Sequence, residues 1–161
     1  GLDPGTTMGP LSNPRRIDAL TALVADAVTR GAKLLAGGKR IDRPGNYFEP
    51  TVICDVPASA LIMTQETFGP IAPIVPFDSL EEAVSMANST PFALASYVVS
   101  DHAPTIRHLT TTIRAGIVGV NTFVASLPET PFGGIGSSGW GHEGGPEGIE
   151  PYLHTRFINE A

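Results

Sequence analysis

Cysteine is almost absent from this sequence, in which Cys54 is the only one among 161 residues. A single cysteine excludes an intrachain disulfide framework and suits a reducing compartment, so we expect a cytoplasmic protein. The four histidines show no metal-ligand spacing, and no metal site is predicted. Cys54 lies in an extended run beside no helix start that would activate its thiol, and is interpreted as a packing residue rather than a nucleophile.

Long hydrophobic runs and basic clusters are missing as well. No window approaches the roughly 18 consecutive apolar residues of a membrane-spanning helix, so a membrane location is not expected. The net charge of −6 is spread along the chain, with 10 Lys and Arg against 16 Asp and Glu. Nucleic acid and anionic lipid are therefore poor partners. The length suffices for one domain with a hydrophobic core.

Hydrophobic periodicity predicts alternating helices and strands. Helices are expected over 12–30, 79–88, the segment from Asp101 to Gly116, and 146–153; strands are expected over 33–36, 47–56, 71–77, 94–99 and 117–120, with a last extended piece over 154–159. Ser79 and Glu82 form a capping box, Asp101 is the expected cap of the third helix, and Pro50 indicates an edge position in its strand. The alternation predicts an α/β fold with βαβ units and a mostly parallel sheet flanked by helices.

The stretch from Gly116 to Gly145 begins as a short apolar strand and continues as a glycine-rich loop. Open α/β sheets bind ligands where a strand ends in such a loop, although composition alone supports a plain surface loop equally well. Gly134 to Gly139 satisfies the spacing G-x-G-x-x-G, but no helical pattern follows it directly. A Rossmann or P-loop nucleotide binder is therefore disfavoured.

A second stretch, Gln65-Glu66-Thr67-Phe68-Gly69-Pro70, places a carboxylate beside an aromatic ring. A carboxylate can accept hydrogen bonds from sugar hydroxyls, and the ring can stack on a planar ligand. Taken alone, this stretch is better interpreted as an exposed turn glutamate and a core phenylalanine.

Together the two stretches resemble motifs of the NAD(P)-dependent aldehyde dehydrogenase superfamily. Residues 65–70 resemble that family's Glu-Glu-Ile-Phe-Gly-Pro motif, and its C-terminal signature resembles Val120-Asn121 followed by Pro131-Phe132-Gly133-Gly134, Ser138-Gly139 and Gly141-x-Glu143. Further matches in the same order are Met8-Gly9-Pro10-Leu11, Gly31-Ala32-Lys33, Phe48-Glu49-Pro50-Thr51-Val52, Glu81-Glu82-Ala83, Ala87-Asn88 and Gly148-x-x-x-Tyr152. The resemblance covers nearly the whole chain.

The resemblance implies that residues 1–153 are the C-terminal portion of the aldehyde dehydrogenase catalytic domain and that residues 154–161 begin an oligomerisation strand. It implies a parent enzyme that oxidises an aldehyde to a carboxylic acid with NAD or NADP and forms a homo-oligomer. In that family the nucleophilic cysteine, the general base and the cofactor domain lie upstream of the matched segment. The chain itself is therefore expected to contain no catalytic residue and to be inactive.

Residue roles follow from the same resemblance. Glu66 would bind the nicotinamide-ribose hydroxyls, and Phe68 would pack beside the nicotinamide. Phe132 would line the aldehyde channel, and Phe123 belongs to the segment that would form its substrate-reading wall. Ser126 stands where semialdehyde-oxidising members often place a serine for the distal carboxylate, so the resemblance extends to a small aldehyde substrate of the succinate-semialdehyde kind. The alternative is a loop serine that is solvated or forms a turn.

Some residues depart from the family pattern. Gly136 stands where the family often has lysine, and Gln65 replaces the first glutamate of its motif. These departures affect the expected details of the loops and the choice of subfamily, but not the resemblance to the family itself. The alternative hypothesis is a non-catalytic interaction or structural module that reuses the dehydrogenase fold, and the coding sequence upstream of Gly1 would separate the two.

Overall fold

Helices and strands alternate through residues 1–161, all of which the computed structural model describes. The helices are α1 (Arg15–Thr29), α2 (Leu80–Ala87) and α3 (Ala103–Thr112), with 3-10 segments at Leu61–Met63 and Pro146–Tyr152. The strands are β1 (Lys33–Ala36), β2 (Thr51–Cys54), β3 (Ile71–Ile74), β4 (Phe92–Ala93), β5 (Ala95–Val98), β6 (Ile117–Val120) and β7 (Ile135–Gly136). The predicted α/β class is confirmed. None of the helices is long and apolar enough to cross a membrane.

The chain divides into two units, Gly1–Pro76 and Phe77–Ala161. The first unit contains one hydrophobic core, built by the apolar face of α1 and the residues around β2. Its buried members are Ile17, Leu20, Val24, Ala27, Ala32, Phe48, Ile53, Val56, Ala60 and Ile62. Helix α1 begins at Arg15 rather than Ser12, after Pro14 at the N-cap, and Gly31 follows it with a φ of 107°. The left-handed conformation at Gly31 suits a glycine and ends the helix.

The sheet of the first unit has the order β1-β2-β3, in which β2 is antiparallel to β1 and parallel to β3. Strand β2 is therefore the central strand, and the edge position expected from Pro50 is wrong. Pro50 lies just ahead of the strand, where its missing N–H costs no ladder bond. The ladder starts one residue later, where the Thr51 N–H donates to the Pro70 carbonyl at 2.8 Å.

In the second unit, α2 begins at the predicted N-cap Ser79, but the return bond of the predicted capping box reaches Asp78 instead of Ser79. The Ser79 Oγ accepts from the Glu82 N–H at 3.1 Å, and the Glu82 carboxylate accepts from the Asp78 N–H at 2.8 Å. Strand β5, helix α3 and strand β6 form a βαβ unit with parallel pairing from Ala95 opposite Ile117 to Val98 opposite Val120. Strands β4 and β7 pair antiparallel. The four-residue β2–β3 and β5–β6 pairings are parallel, but the strands form three small sheets rather than one.

Helix α3 differs from the prediction at both ends. His102, not Asp101, is the N-cap, and its Nδ1 accepts from the Thr105 N–H at 3.4 Å. The helix ends at Thr112 rather than continuing to Gly116, because the Asn88 amide donates to the Thr112 carbonyl at 2.9 Å and accepts from the Arg114 N–H at 2.7 Å. Residues 153–161 are irregular, so the extended piece expected over 154–159 pairs with no strand of this chain.

Candidate functional site

The segment Gln65–Pro70, called the Glu66 loop below, is held at both ends by backbone hydrogen bonds. The Gln65 N–H donates to the Leu61 carbonyl at 2.8 Å, and the Pro70 carbonyl accepts from Thr51 in β2. Between these ends Glu66 is exposed and Phe68 is 73% exposed. The alternative of a core phenylalanine is therefore wrong for this chain. A carboxylate and a ring are presented together on one anchored loop.

Arg16 supports the middle of the Glu66 loop from helix α1. Its Nη2 donates to the Glu66 carbonyl at 3.2 Å and its Nε donates to the Phe68 carbonyl at 3.3 Å. Leu20, one helical turn further on, lies so close to Gly69 that a Cβ on Gly69 would approach Leu20 Cδ1 to 2.5 Å. Sequence reasoning missed Arg16, since an arginine in the first turn of an amphipathic helix carries no signal of a distant loop.

An acidic side chain of α1 holds the segment that leads into the loop. The Asp26 carboxylate accepts from the Leu61 N–H at 2.8 Å and from Arg30 Nε at 2.8 Å. The Leu61 N–H, followed by the Arg30 guanidinium, lowers the pKa of Asp26 below its ordinary value. Helix α1 thus fixes both the start of the 3-10 segment and the carbonyls of the loop.

In the second unit, Asn121 fixes the point where β6 passes into the glycine-rich loop. Its φ of 54° lies in the left-handed region, which asparagine tolerates better than most residues. Its amide accepts from the Ser100 N–H at 3.0 Å and donates to the Ser100 carbonyl at 2.9 Å. This pairing gives Asn121 a structural role, because it ties the start of the loop to Ser100.

Further along, Phe132 and Glu143 close the loop on itself. The Phe132 N–H donates to the Glu143 carbonyl at 2.7 Å, and the Glu143 N–H donates back at 2.8 Å. Beside this bridge lies a cavity of about 370 Å³, called the Ser126 cavity below, lined by Ser126, Leu127, Pro128, Phe132, Glu143 and Gly144. The structure therefore brings two of the predicted substrate residues, Ser126 and Phe132, into one cavity.

Phe123 does not line the Ser126 cavity. Its ring packs against Tyr97 of β5 with a centroid separation of 5.3 Å and an interplanar angle of 55°, and the residue is 78% exposed. Phe132 also lines a second cavity of about 360 Å³, together with residues of the glycine-rich loop that include Ser138, Trp140 and His142. The Ser138 Oγ accepts from the Ala93 N–H at 2.8 Å, so that hydroxyl is engaged in holding the loop to β4.

The Ser126 cavity has few polar side chains in its lining. Glu143 is the one ionisable residue in its lining, and Ser126 is the one side-chain hydroxyl. The rest of the lining is apolar or glycine. A ligand in this cavity would therefore meet an aromatic wall, a single hydroxyl donor and one carboxylate.

The first unit thus presents an exposed carboxylate loop, and the second unit presents a glycine-rich loop with two small cavities. Residues 1–158 match the aldehyde dehydrogenase family model, and the chain belongs to that family.

Comparison with individual proteins supports the same family. Rat mitochondrial succinate-semialdehyde dehydrogenase is 42% identical over 158 residues, which are 98% of this chain and 30% of that protein. Escherichia coli succinate-semialdehyde dehydrogenase (NADP(+)) is 40% identical over 98% of this chain and 33% of its own length. The crystal structure of succinate-semialdehyde dehydrogenase from Burkholderia pseudomallei superposes with a TM-score of 0.90 at 40% identity, covering 93% of this chain and 31% of that one. The chain thus spans about a third of the length of these relatives.

Proposed function

We propose that this chain is the C-terminal part of the catalytic domain of an NAD(P)-dependent dehydrogenase that oxidises a semialdehyde to a carboxylic acid. The observation that carries the proposal is the Ser126 cavity, which both Ser126 and Phe132 line although five residues lie between them in the sequence. An aromatic wall and a single hydroxyl suit a short aliphatic substrate with a polar far end. The relatives named for succinate semialdehyde support the same substrate class.

The Glu66 loop is proposed to bind the cofactor. When bound, NAD(P) accepts the hydride that the aldehyde gives up. The Glu66 carboxylate is exposed and can accept hydrogen bonds from two neighbouring ribose hydroxyls. Phe68 is 73% exposed and offers a face to the nicotinamide ring. These residue types on an anchored loop fit the ribose and nicotinamide end of the dinucleotide.

In the Ser126 cavity, Ser126 would donate a hydrogen bond to the distal carboxylate of the semialdehyde, and Phe132 would exclude water from its apolar chain. Glu143 lines the same cavity and would repel that carboxylate. The cation that balances the substrate must therefore come from residues outside this cavity. Phe123, packed on Tyr97, would contribute to the channel only at its outer surface.

This chain is proposed to lack the nucleophile and the general base, which belong to the upstream part of the parent enzyme. Cys54 lies in the central strand β2, with Lys33 and Ile74 as its neighbours in the sheet, which suits packing rather than attack on a carbonyl. The parent is proposed to be a cytoplasmic homo-oligomer that assembles through a strand near residues 155–159.

Two measurements test the proposal. The purified 161-residue chain should give no aldehyde-dependent rise in NADH or NADPH absorbance. In the complete polypeptide that carries residues 1–161, Ser126→Ala should raise the KM for succinate semialdehyde about tenfold, the loss expected for one hydrogen bond to a charged group, with kcat nearly unchanged. The KM for an aldehyde of similar length without a carboxylate should not change.

Ser137→Ala is the matched control, since Ser137 is an exposed serine of the same glycine-rich loop outside both cavities. It should leave both KM values as in the wild type. Equal effects of Ser126→Ala on the two aldehydes would contradict the role of Ser126 in reading a carboxylate. Turnover by the chain alone would contradict its assignment as a part without nucleophile and base.

A further inference from the structure

We propose that Arg16 is a positioning residue for cofactor binding, because it fixes the backbone from which Glu66 and Phe68 project. This inference rests on the proposed function of the Glu66 loop. Arg16 belongs to the first turn of α1, about fifty residues before the loop, and matches none of the motifs that point to the dehydrogenase family.

The geometry of the contact is what gives Arg16 this role. Nε and Nη2 belong to one planar guanidinium, and they donate to the carbonyls of Phe68 and Glu66 at 3.3 Å and 3.2 Å. A rigid fork that binds two carbonyls fixes their mutual orientation, which a lysine ammonium on a flexible stem cannot do. The two carbonyls flank Thr67, so the fork spans the part of the loop that carries both proposed cofactor contacts.

The rest of the loop explains why this support is needed. Backbone bonds hold Gln65 at the start of the loop and Gly69 and Pro70 at its end, whereas the Glu66 and Phe68 carbonyls gain their hydrogen bonds from Arg16. Leu20 of the same helix packs under Gly69 one turn away from Arg16. Without Arg16 the loop keeps its ends and its apolar floor, while the Glu66 and Phe68 backbone becomes free to rotate. A carboxylate and a ring that are not held in place must be ordered when the cofactor binds.

The test uses the complete polypeptide that carries residues 1–161. Arg16→Met keeps the length of the side chain and removes both hydrogen bonds. We expect its Kd for NAD or NADP, measured by calorimetric titration, to rise about tenfold, in line with the loss of charge-assisted hydrogen bonds. The KM for the aldehyde at saturating cofactor should stay within about twofold, because the substrate side is untouched. Arg16→Lys keeps the charge but not the fork, and should recover only part of the affinity.

Two matched controls separate positioning from charge and from stability. Arg15→Met removes the same charge from the neighbouring exposed residue, which makes no side-chain hydrogen bond. Ala22→Gly weakens α1 at an exposed position in the middle of the helix, away from both Arg16 and Asp26. Both should bind the cofactor as the wild type does. An equal loss of affinity in either control would overturn the positioning role, and thermal unfolding of each variant reports whether it is folded.

Glu66→Gln distinguishes failure of this inference from failure of the proposed function. Weaker binding in Glu66→Gln together with wild-type binding in Arg16→Met would overturn the inference and leave the cofactor role of the loop standing. Wild-type binding in Glu66→Gln would overturn the proposed role of Glu66, and the positioning role with it. If Arg16→Met does not fold, Arg16→Lys decides: undiminished affinity in that variant overturns the role of the fork.

Discussion

Because the side chain of Gly116 is a single hydrogen atom, the glycine-rich loop can lie directly against the start of β6. A Cβ built on Gly116 would overlap the carbonyl oxygen of Gly133, which is backbone and cannot turn away. We therefore expect Gly116→Ala to lower the free energy of unfolding by about 1–3 kcal/mol, the cost typical of overpacking. Urea unfolding followed by circular dichroism measures the change.

Gly5→Ala is the control for this substitution. The space around Gly5 is open, with no atom within 4 Å of a built Cβ, so this variant should unfold as the wild type does. A Gly116→Ala variant as stable as Gly5→Ala would show that the loop shifts at no cost, which the close approach argues against.

Asn121 combines a left-handed backbone with two side-chain hydrogen bonds to Ser100. Asn121→Ala loses both bonds and keeps an unfavourable φ, so we expect it to cost about 2–4 kcal/mol in unfolding free energy. Asn121→Gly loses the same bonds but adopts a positive φ freely, and should cost less. Urea unfolding of both variants separates the loss of the two hydrogen bonds from the cost of the positive φ. Equal losses of unfolding free energy in the two variants would show that the positive φ adds no cost.

Asn121 and Arg16 show what the sequence can and cannot predict at the scale of single residues. Asn121 belongs to the Val120-Asn121 part of the family signature, and the resemblance is enough to single it out. Arg16 is different, because its partners are carbonyls of Glu66 and Phe68, which every residue type possesses. No side-chain pattern marks a backbone acceptor, so a contact of this kind becomes visible only when the helix and the loop are placed together.

At the scale of elements, helix α1 holds the 3-10 segment through a titratable group. Asp26 accepts from the Leu61 N–H, and its pKa in the folded chain lies below the ordinary value of 3.8. A carboxyl whose folded pKa is lowered stabilises the fold fully above 3.8 and loses that contribution as the pH falls through the folded value. The wild type should therefore exceed Asp26→Asn in unfolding free energy near neutral pH, and the difference should shrink in acid.

Urea unfolding between about pH 2 and pH 6 tests this expectation. Asp42→Asn is the control, since Asp42 is an exposed carboxyl outside the helices and outside the Leu61 and Arg30 contacts. It removes a carboxylate without touching the 3-10 segment, and the gap between wild type and Asp26→Asn is compared with the gap that it gives. A gap between wild type and Asp26→Asn that stays constant into acid would assign the Asp26 effect to packing rather than to ionisation.

Helix ends also show how far local patterns reach. The cap at Ser79 is predicted correctly because Ser79 and the Glu82 N–H that it binds lie within one turn of each other. The end of α3 is not predicted correctly, because the Asn88 side chain, from the preceding segment, donates to the Thr112 carbonyl and accepts from the Arg114 N–H. The two-residue pairing of β4 with β7 is equally hidden, since two residues carry no periodicity. Elements follow from local sequence, whereas their ends and short pairings depend on distant partners.

For the whole molecule, the two units differ in how much apolar surface they bury. Of the hydrophobic residues that are buried, only Ala93 and Val98 belong to the unit Phe77–Ala161, while the first unit holds the continuous core. The second unit instead exposes large side chains, among them Phe123 at 78%, Trp140 at 98% and Phe157 at 87%. Burial of apolar area is the main source of stability, so the second unit should be the weaker one.

Hydrogen exchange of the 161-residue chain, read by mass spectrometry, should accordingly show faster exchange in residues 77–161 than in the sheet and helix of the first unit. Equal protection of β2 and β6 would contradict this expectation. The same measurement on the complete polypeptide bears on the proposed parent enzyme. If residues outside this chain cover its exposed aromatic side chains, protection of 77–161 should rise there while that of α1 and β2 changes little. Unchanged exchange in 77–161 would mean that this apolar surface stays uncovered, and its exposed phenylalanines and Trp140 would then have to be explained by another partner.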